Sequence, residues 1–496
     1  MVMTYILDRI NQLGTPASVA TAAGILGVGA YGSVVLYNKY TNWLADSNKD
    51  PVLKSLQSTI DCINNFNSKL ANPEQPDVTK MIGSGKAKLV YTGFKRTEDQ
   101  TGQSIDSRIE DIAYIIPRNS SGQSELQSEI LEGRSIKNGV YLANLQLFLE
   151  SLGENTDEAK TSAVILMTQF PTIEDLIQGL EKKDHRLNLI FEKQSSIPVD
   201  LYKNSLQRLM ESSLHLAVDL TDAPDILIEG KPAVIARMAQ TNLESAVRTA
   251  PYPFPQSANL ARQLMKGFRE LHAGGYVHGD IKLENILVYN FDGNPIIKIA
   301  DWGKSKKLGD NEVALHTGNR RHMAPERLCS QKGEVFGVAM MVVRMLEEEF
   351  LTDSSKQMLT EPDQKDPSKE KRLQDEDDAA KCRKGIERFL SISQGCPEID
   401  TNGLDALHHA FASFVSLIRK KPTNIDSQLG KYIYALQTRL EGKYGDSEEK
   451  LVGIRNLTAL LRAMLRSDKN ERISMEEAVP RLDECLAPFS EVGLNY

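Results

Sequence analysis

Two short polar turns, each following an ordered apolar stretch, constrain this chain more than any other feature. The first is YVHGDIKLENILV, residues 276–288, which gathers Asp280, Lys282 and Asn285 just before a β-type run. The second is IIKIADWGKS, residues 296–305, a strand-type run ending in Asp301-Trp302-Gly303. Before the first turn, SANLARQLMKGFRELHAGG (257–275) carries apolar residues at helical spacing and stops at glycines. MAPERL follows at 323–328. Each piece alone is a weak signal. Their order, their spacing, and their positions after a helix and after a strand make the set specific.

Phosphoryl transfer asks a protein mainly for positioning and charge neutralisation: an acceptor-orienting carboxylate, a cation near the γ-phosphate, Mg²⁺ ligands and a cradle for the other phosphates. The residue types in the two turns match that set. At this point the sequence resembles the protein kinase family, with HGDIKLEN as catalytic loop, DWG in place of DFG, and APE at 324–326. LLRAMLRSDKNERISMEEAV (460–479) resembles the family's last helices, where an Arg pairs with the Glu of APE; by that match Arg472 pairs with Glu326. The resemblance covers about residues 78–345 and 455–485. It implies an α+β, two-lobed protein-kinase-like fold with a small β-rich N-lobe and a larger helical C-lobe, here preceded by an apolar N-terminal helix. It implies ATP and Mg²⁺ as cofactors and a protein substrate. By the same resemblance Asp280 orients the acceptor hydroxyl or takes its proton, Lys282 lies near the γ-phosphate, and Asn285 and Asp301 hold Mg²⁺.

The amino-terminal part departs from the common pattern. KMIGSGKAKLVYTGF (80–94) reads as strand, glycine turn, strand, and RIEDIAYIIP (108–117) as a third strand. Gly83 and Gly85 are present, but Lys88 stands where the third glycine usually sits, and Ile115 where the ATP-binding Lys usually sits. The with-no-lysine (WNK) kinases show the same exchange within a GxGxxKxVY pattern, and Gly83, Gly85, Lys88, Val90 and Tyr91 match it. A Lys on the second strand can point into the phosphate pocket from below, and glycine lets the backbone approach phosphates closely. Lys88 is the expected phosphate-pocket Lys, with Lys86 in reserve and Glu129 of SEIL as its helix partner; the alternative is that these lysines face solvent on a hairpin. A second register pairs Lys193 of LIFEKQ with Glu211 of RLMESS and makes AVIARMAQTNLES the hinge, but it supplies no glycine loop before Lys193. GVGAYGSV (27–34) also fits a glycine-loop pattern. It lies roughly 250 residues before Asp280, too far for one N-lobe, and is set aside.

Lys282 two residues after Asp280, the APE motif and Arg472 favour a Ser/Thr protein kinase over a small-molecule kinase of the aminoglycoside-phosphotransferase type. Gly279 replaces the Arg that grips a phosphorylated activation loop, which implies activity without that phosphorylation. Asn319 stands for a family Thr, and Glu334 for the Asp that starts the large C-lobe helix. These departures keep a second reading open, a pseudokinase scaffold or binding module with weak or no catalysis.

The expected layout is an apolar N-terminal segment (1–44), a polar helical linker (45–77), N-lobe and hinge (78–180), an insertion (181–255), and a C-lobe (256–496) with a charged insertion at about 352–386. LQLFLESLG (145–153), SAVILMTQF (162–170) and LNLIFEK (187–193) read as further strands. TIEDLIQGLEKK reads as a helix capped by Thr172, NSLQRLMESSLHLAV as a helix, and DILIEGKPAVIARM as a hairpin. Residues 16–37 carry no charge and are long enough to cross a bilayer, so a membrane-associated protein with a cytosol-facing kinase domain is expected; the alternative is a buried or surface-associated helix in a cytoplasmic protein. The five cysteines are scattered without CxxC pairing, which suits reduced thiols and argues against a zinc site. A net charge of −8 gives no basic field for nucleic acid.

Overall fold

The computed structural model describes residues 51–489 apart from segments 69–74, 85–86, 99–103, 216–219, 250–251, 292–293, 310–311, 316–323 and 348–424. Gly85, Lys86, Asn319, the charged insertion and the apolar segment 16–37 therefore lie outside the described residues. No helix among the described residues is long and apolar enough to cross a membrane.

Helices α1 (Pro51–Ser55) and α2 (Gln57–Ser68) come first. They fall in the segment expected as a helical linker, and Val52, Leu53, Leu56, Ile60 and Ile63 are buried at helical spacing in a shared core. Strands β1 (Val78–Ser84), β2 (Lys88–Glu98) and β3 (Ser104–Pro117) follow, on the three stretches read as strands. Then α3 (Ser120–Ser151) runs for 32 residues, started by Asn119, whose side chain accepts from the amide of Gly122.

Four helices succeed it: α4 (Thr156–Gln169), α5 (Ile173–Glu181), α6 (Asn188–Gln194) and α7 (Val199–His215). Three of the expected strands are helical here. LQLFLESLG is the end of α3, where Leu145, Phe148, Leu149 and Leu152 recur at helical spacing on one buried face. SAVILMTQF lies in α4, which buries Ala159, Ala163 and Leu166 and leaves Val164 and Ile165 on its solvent face. Those exposed β-branched residues made the run look continuously apolar. LNLIFEK begins in the turn at Leu187 and continues as α6, burying Leu187 and Ile190. Thr172 caps α5, accepting from the amide of Asp175.

The hairpin β4 (Leu220–Ile228) and β5 (Lys231–Arg237) then returns to the N-lobe, giving one five-stranded sheet in the order β1-β2-β3-β5-β4. Strands inside the segment expected as an insertion thus complete the sheet, and helices α4–α7 are what intervenes. After a short crossing comes β6 (Thr241–Asn242), which pairs with the C-lobe strand beginning at Ile286. AVIARMAQTNLES, residues 233–245, therefore carries the chain from β5 through β6 to the C-lobe.

The C-lobe contains α8 (Leu243–Thr249), α9 (Phe254–Ala273), β7 (Tyr276–Val277), β8 (Ile286–Phe291), β9 (Asn294–Ile299), α10 (Gln331–Glu347), α11 (Ile425–Tyr444), α12 (Glu448–Met464) and α13 (Met475–Leu486). Its core interleaves Leu264 and Phe268 of α9, Val338 and Met341 of α10, Ile433 of α11, Leu461 of α12 and Val479 of α13.

The helical module spans both lobes. Its core includes Phe148 of α3 and Leu206 of α7 together with Tyr289 and Ile296 from β8 and β9. Arg208 of α7 binds Glu476 of α13 through both guanidinium Nη atoms at 2.8 Å and approaches Glu270 of α9 at 3.4 Å. Glu211 of α7 pairs with Lys266 of α9 at 2.7 Å. The end of α3 thus packs with C-lobe strands, while Leu126 and Ile130 in its earlier turns pack with Ile115 of the N-lobe sheet.

Candidate active site

The turn 278–285 follows α9 and β7 and closes on itself. The amide of Asp280 donates to His278 Nδ1 at 3.2 Å, and His278 Nε2 donates to the carbonyl of Ala300 at 2.9 Å. These two bonds assign the imidazole tautomer. Asn285 Nδ2 donates to the carbonyl of Asp280 at 2.9 Å, and the amide of Ala300 donates to the carbonyl of Asn285 at 2.8 Å. The two sequence turns are thus stitched into one unit. Glu334, at the start of α10, accepts from the amide of Gly279 at 2.8 Å and from His272 Nε2 at 3.0 Å. Glu334, in the place of the family's Asp, thus ties the start of α10 to the turn at Gly279 and to α9.

The Asp280 carboxylate is buried, and its Oδ2 accepts from Lys282 Nζ at 3.1 Å and Lys304 Nζ at 3.0 Å. Burial alone would raise its pKa, but hydrogen bonds from Lys304 and Lys282 outweigh it and hold it down at about 2. Asp301 has φ 69° and ψ 65°, a left-handed conformation that Asp tolerates better than bulkier residues. Trp302 is buried against the His278 ring at 5.0 Å between centroids. A Cβ at Gly133 of α3 would make an ordinary 3.7 Å contact with Trp302 Cδ1, so this helix packs directly against the DWG turn.

Gly279 has φ +77°, and a Cβ there would come 2.4 Å from the carbonyl oxygen of Lys304. The turn cannot carry the family's Arg at this position without moving the strand of backbone after DWG. Gly279→Ala is expected to destabilise the protein by about 1–3 kcal/mol from backbone strain alone, with the clash adding to it. Chemical denaturation measures this, and an unchanged midpoint would refute it.

On the N-lobe side the register decides which way Lys88 points. Val90 faces Ile115 across the β2–β3 ladder, so Lys88, two residues earlier, shares their face. That face is covered by α3, where Ile115 packs with Leu126 and Ile130. Lys88 Nζ lies 2.8 Å from Glu129 Oε2, 3.0 Å from Oε1 and 3.5 Å from Asp301 Oδ1. Burial works against its charge, but Glu129 and then Asp301 outweigh burial and raise its pKa. Gly83 stands opposite Val90 in the β1–β2 ladder, where an added Cβ would make only an ordinary 3.5 Å contact. Packing therefore does not demand glycine at 83.

The structure brings Lys88, Glu129 and Asp301 together, and Asp280, Lys282 and Asn285 together, with Gly83 and Val90 beside the first group. It does not bring Lys193 and Glu211 into this cleft. Lys193 is on α6 with its ammonium 3.9 Å from Glu154, and Glu211 is on α7 with Lys266. The second register fails in its lysine and glutamate because both lie in the helical module, not on a strand. Sequence reading missed Lys304 and His272. Only the adjacency of Lys304 to DWG could have signalled it.

Asn285 donates its amide nitrogen to the Asp280 carbonyl, so its Oδ1 is the atom that could face a cation, and Asp301 offers a carboxylate from the stitched neighbouring turn. Hard oxygen donors of this kind suit Mg²⁺, which takes few protein ligands and completes its shell with water and phosphate.

The scaffold is two-lobed, with Lys88 held by Glu129 and Asp301 above and an Asp–Lys–Asn turn below, an arrangement suited to phosphoryl transfer. Comparison agrees in sequence: the family model for the protein kinase domain matches residues 233–481, from β5 to α13. The chain belongs to the protein kinase family. Serine/threonine-protein kinase ste20 of Emericella nidulans is 34% identical over 108 residues, 20% of this chain and 12% of that protein. Calcium/calmodulin-dependent protein kinase type 1 of Caenorhabditis briggsae is 37% identical over 82 residues, 16% of this chain and 23% of that protein. Serine/threonine-protein kinase CLA4 of Eremothecium gossypii is 28% identical over 178 residues, 35% of this chain and 22% of that protein. The chain thus matches less than a quarter of the length of each of these relatives.

Proposed function

We propose that the chain is a catalytically active Ser/Thr protein kinase whose ATP-binding lysine is Lys88 of β2, in the WNK-like placement. The observation that carries this reading is the Lys88 ammonium held between Glu129 and Asp301, on the sheet face that the usual third-strand lysine would share. The relatives named as Ser/Thr kinases favour Ser/Thr acceptors.

Bound MgATP would supply the phosphoryl group, with the metal neutralising its charge. The chain's own residues do the rest. Lys88 holds the inner phosphates, and Glu129 keeps that ammonium charged and aimed. Asn285 and Asp301 hold Mg²⁺. Asp280, pinned through its own amide and carbonyl, accepts a hydrogen bond from the acceptor hydroxyl and takes its proton late in transfer. Its low pKa keeps it ionised, which suits orientation more than early proton removal.

The test is transfer of γ-labelled phosphate from ATP to protein acceptors, with the labelled amino acid identified. Label on Ser or Thr that requires Mg²⁺ and disappears on chelation is the expected result. Bound ATP without transfer would instead favour the scaffold reading, and label on Tyr would correct the acceptor class.

A further inference from the structure

We propose that Lys304 is a second phosphoryl-binding cation of this site, acting beside Lys282. The proposal rests on the kinase reading above and assigns a residue to it. Lys304 closes the short turn that starts at Asp301, and its ammonium reaches back to the same Asp280 oxygen that Lys282 binds, at 3.0 and 3.1 Å. Because both meet one oxygen, the two ammonium groups are within about 6 Å of each other, inside one Debye length.

Charge counting separates the site into two halves. Lys88 is matched by Glu129, which leaves Asp301 as a net negative group suited to a divalent cation. One carboxylate at Asp280 is met by two ammonium groups, which leaves a net positive charge suited to an anion. Both lysines keep contact with solvent, with side chains 43% exposed at Lys304 and 25% at Lys282. They can therefore turn from Asp280 to an arriving phosphoryl group without leaving a fully dry environment. Gly279 is the complement of this arrangement. A Cβ there would overlap the Lys304 carbonyl, so the absence of the usual Arg and the close approach of the Lys304 backbone are two sides of one exchange.

In transfer, the acceptor oxygen bonds to the γ-phosphorus as the bond to the bridging oxygen breaks. The electron pair leaves with ADP, and the acceptor proton passes to Asp280. Charge spreads over the equatorial oxygens in between, and Lys304 and Lys282 meet it there.

Lys304→Met and Lys304→Arg in the full chain test this. Calorimetry would compare binding of MgADP alone and with aluminium fluoride, a mimic of the transferring phosphoryl group; steady-state kinetics would give kcat and KM. Lys304→Met is expected to lose most of the affinity gained with aluminium fluoride and to lower kcat by on the order of 10²–10³, with MgADP binding and KM for ATP little changed. Lys304→Arg should restore part of both. An unchanged aluminium fluoride gain, or a faster enzyme because Lys304 merely blocked Asp280, overturns the proposal. Unaltered protein showing neither transfer nor gain overturns the kinase reading, and the role of Lys304 with it.

Discussion

Lys88→Met is expected to slow phosphoryl transfer by about two to three orders of magnitude, while Lys193→Met leaves it unchanged. Lys88 is the group that joins β2, α3 and the turn after β9, through Glu129 and Asp301. Removing a preorganised cation of this kind lowers rates by on the order of 10²–10³. Asp280→Asn keeps the shape of the turn but removes the proton acceptor, at on the order of 10²–10⁴ in rate. Lys193 bonds no group in the cleft; its ammonium stands 3.9 Å from Glu154 within the helical module. One control separates catalysis from folding, because Lys88→Met strands the buried Glu129 carboxylate without its ammonium. Adding Glu129→Gln relieves that charge, so the double variant should fold better than Lys88→Met and remain as inactive. Activity in Lys88→Met, or its loss in Lys193→Met, would return the N-lobe to the second register.

The C-lobe half of the site was legible because its residues lie close in sequence. Asp280, Lys282 and Asn285 share one turn, and Asp301 ends the strand that hydrogen-bonds back to it. A local turn carries its geometry in a local pattern. The N-lobe half was legible only through a motif, since Lys88 and Glu129 are joined by a long-range pairing that the glycine pattern reports indirectly. Residues 145–193 misled because the helices there are buried on one face while exposed Val164 and Ile165 extend the apolar run. A short apolar run does not distinguish a buried strand from a helix. The charge excess at Asp280 was not legible at all: nothing in GKS says that Lys304 folds back on a carboxylate 24 residues earlier.

The same contrast between local pattern and buried charge sets the second large effect, on stability. Arg472→Ala is expected to cost about 3–5 kcal/mol, because it leaves a largely buried carboxylate unpaired. The Arg472 side chain is fully buried and meets Glu326 twice, Nη1 to Oε1 at 2.7 Å and Nη2 to Oε2 at 3.1 Å. The same guanidinium donates to the carbonyls of Lys332 at 2.7 Å, Arg466 at 3.0 Å and Ser467 at 3.4 Å. It also lies over the Phe336 ring at 5.2 Å. Arg472 therefore ties the Glu of APE and the loop after α12 to the start of α10, where Glu334 holds the amide of Gly279. Loosening that corner should disturb Asp280 as well as the fold. Arg472→Lys should recover only part, since an ammonium cannot reproduce the fork or reach all four partners. Glu326→Gln should cost less than Arg472→Ala, because Glu326 is partly exposed and its amide can still accept one bond. Urea unfolding of the three variants gives the order directly. Equal midpoints for Arg472→Ala and the unaltered protein would mean that this corner carries no net charge coupling, and that the Gly279 amide is held by Glu334 alone.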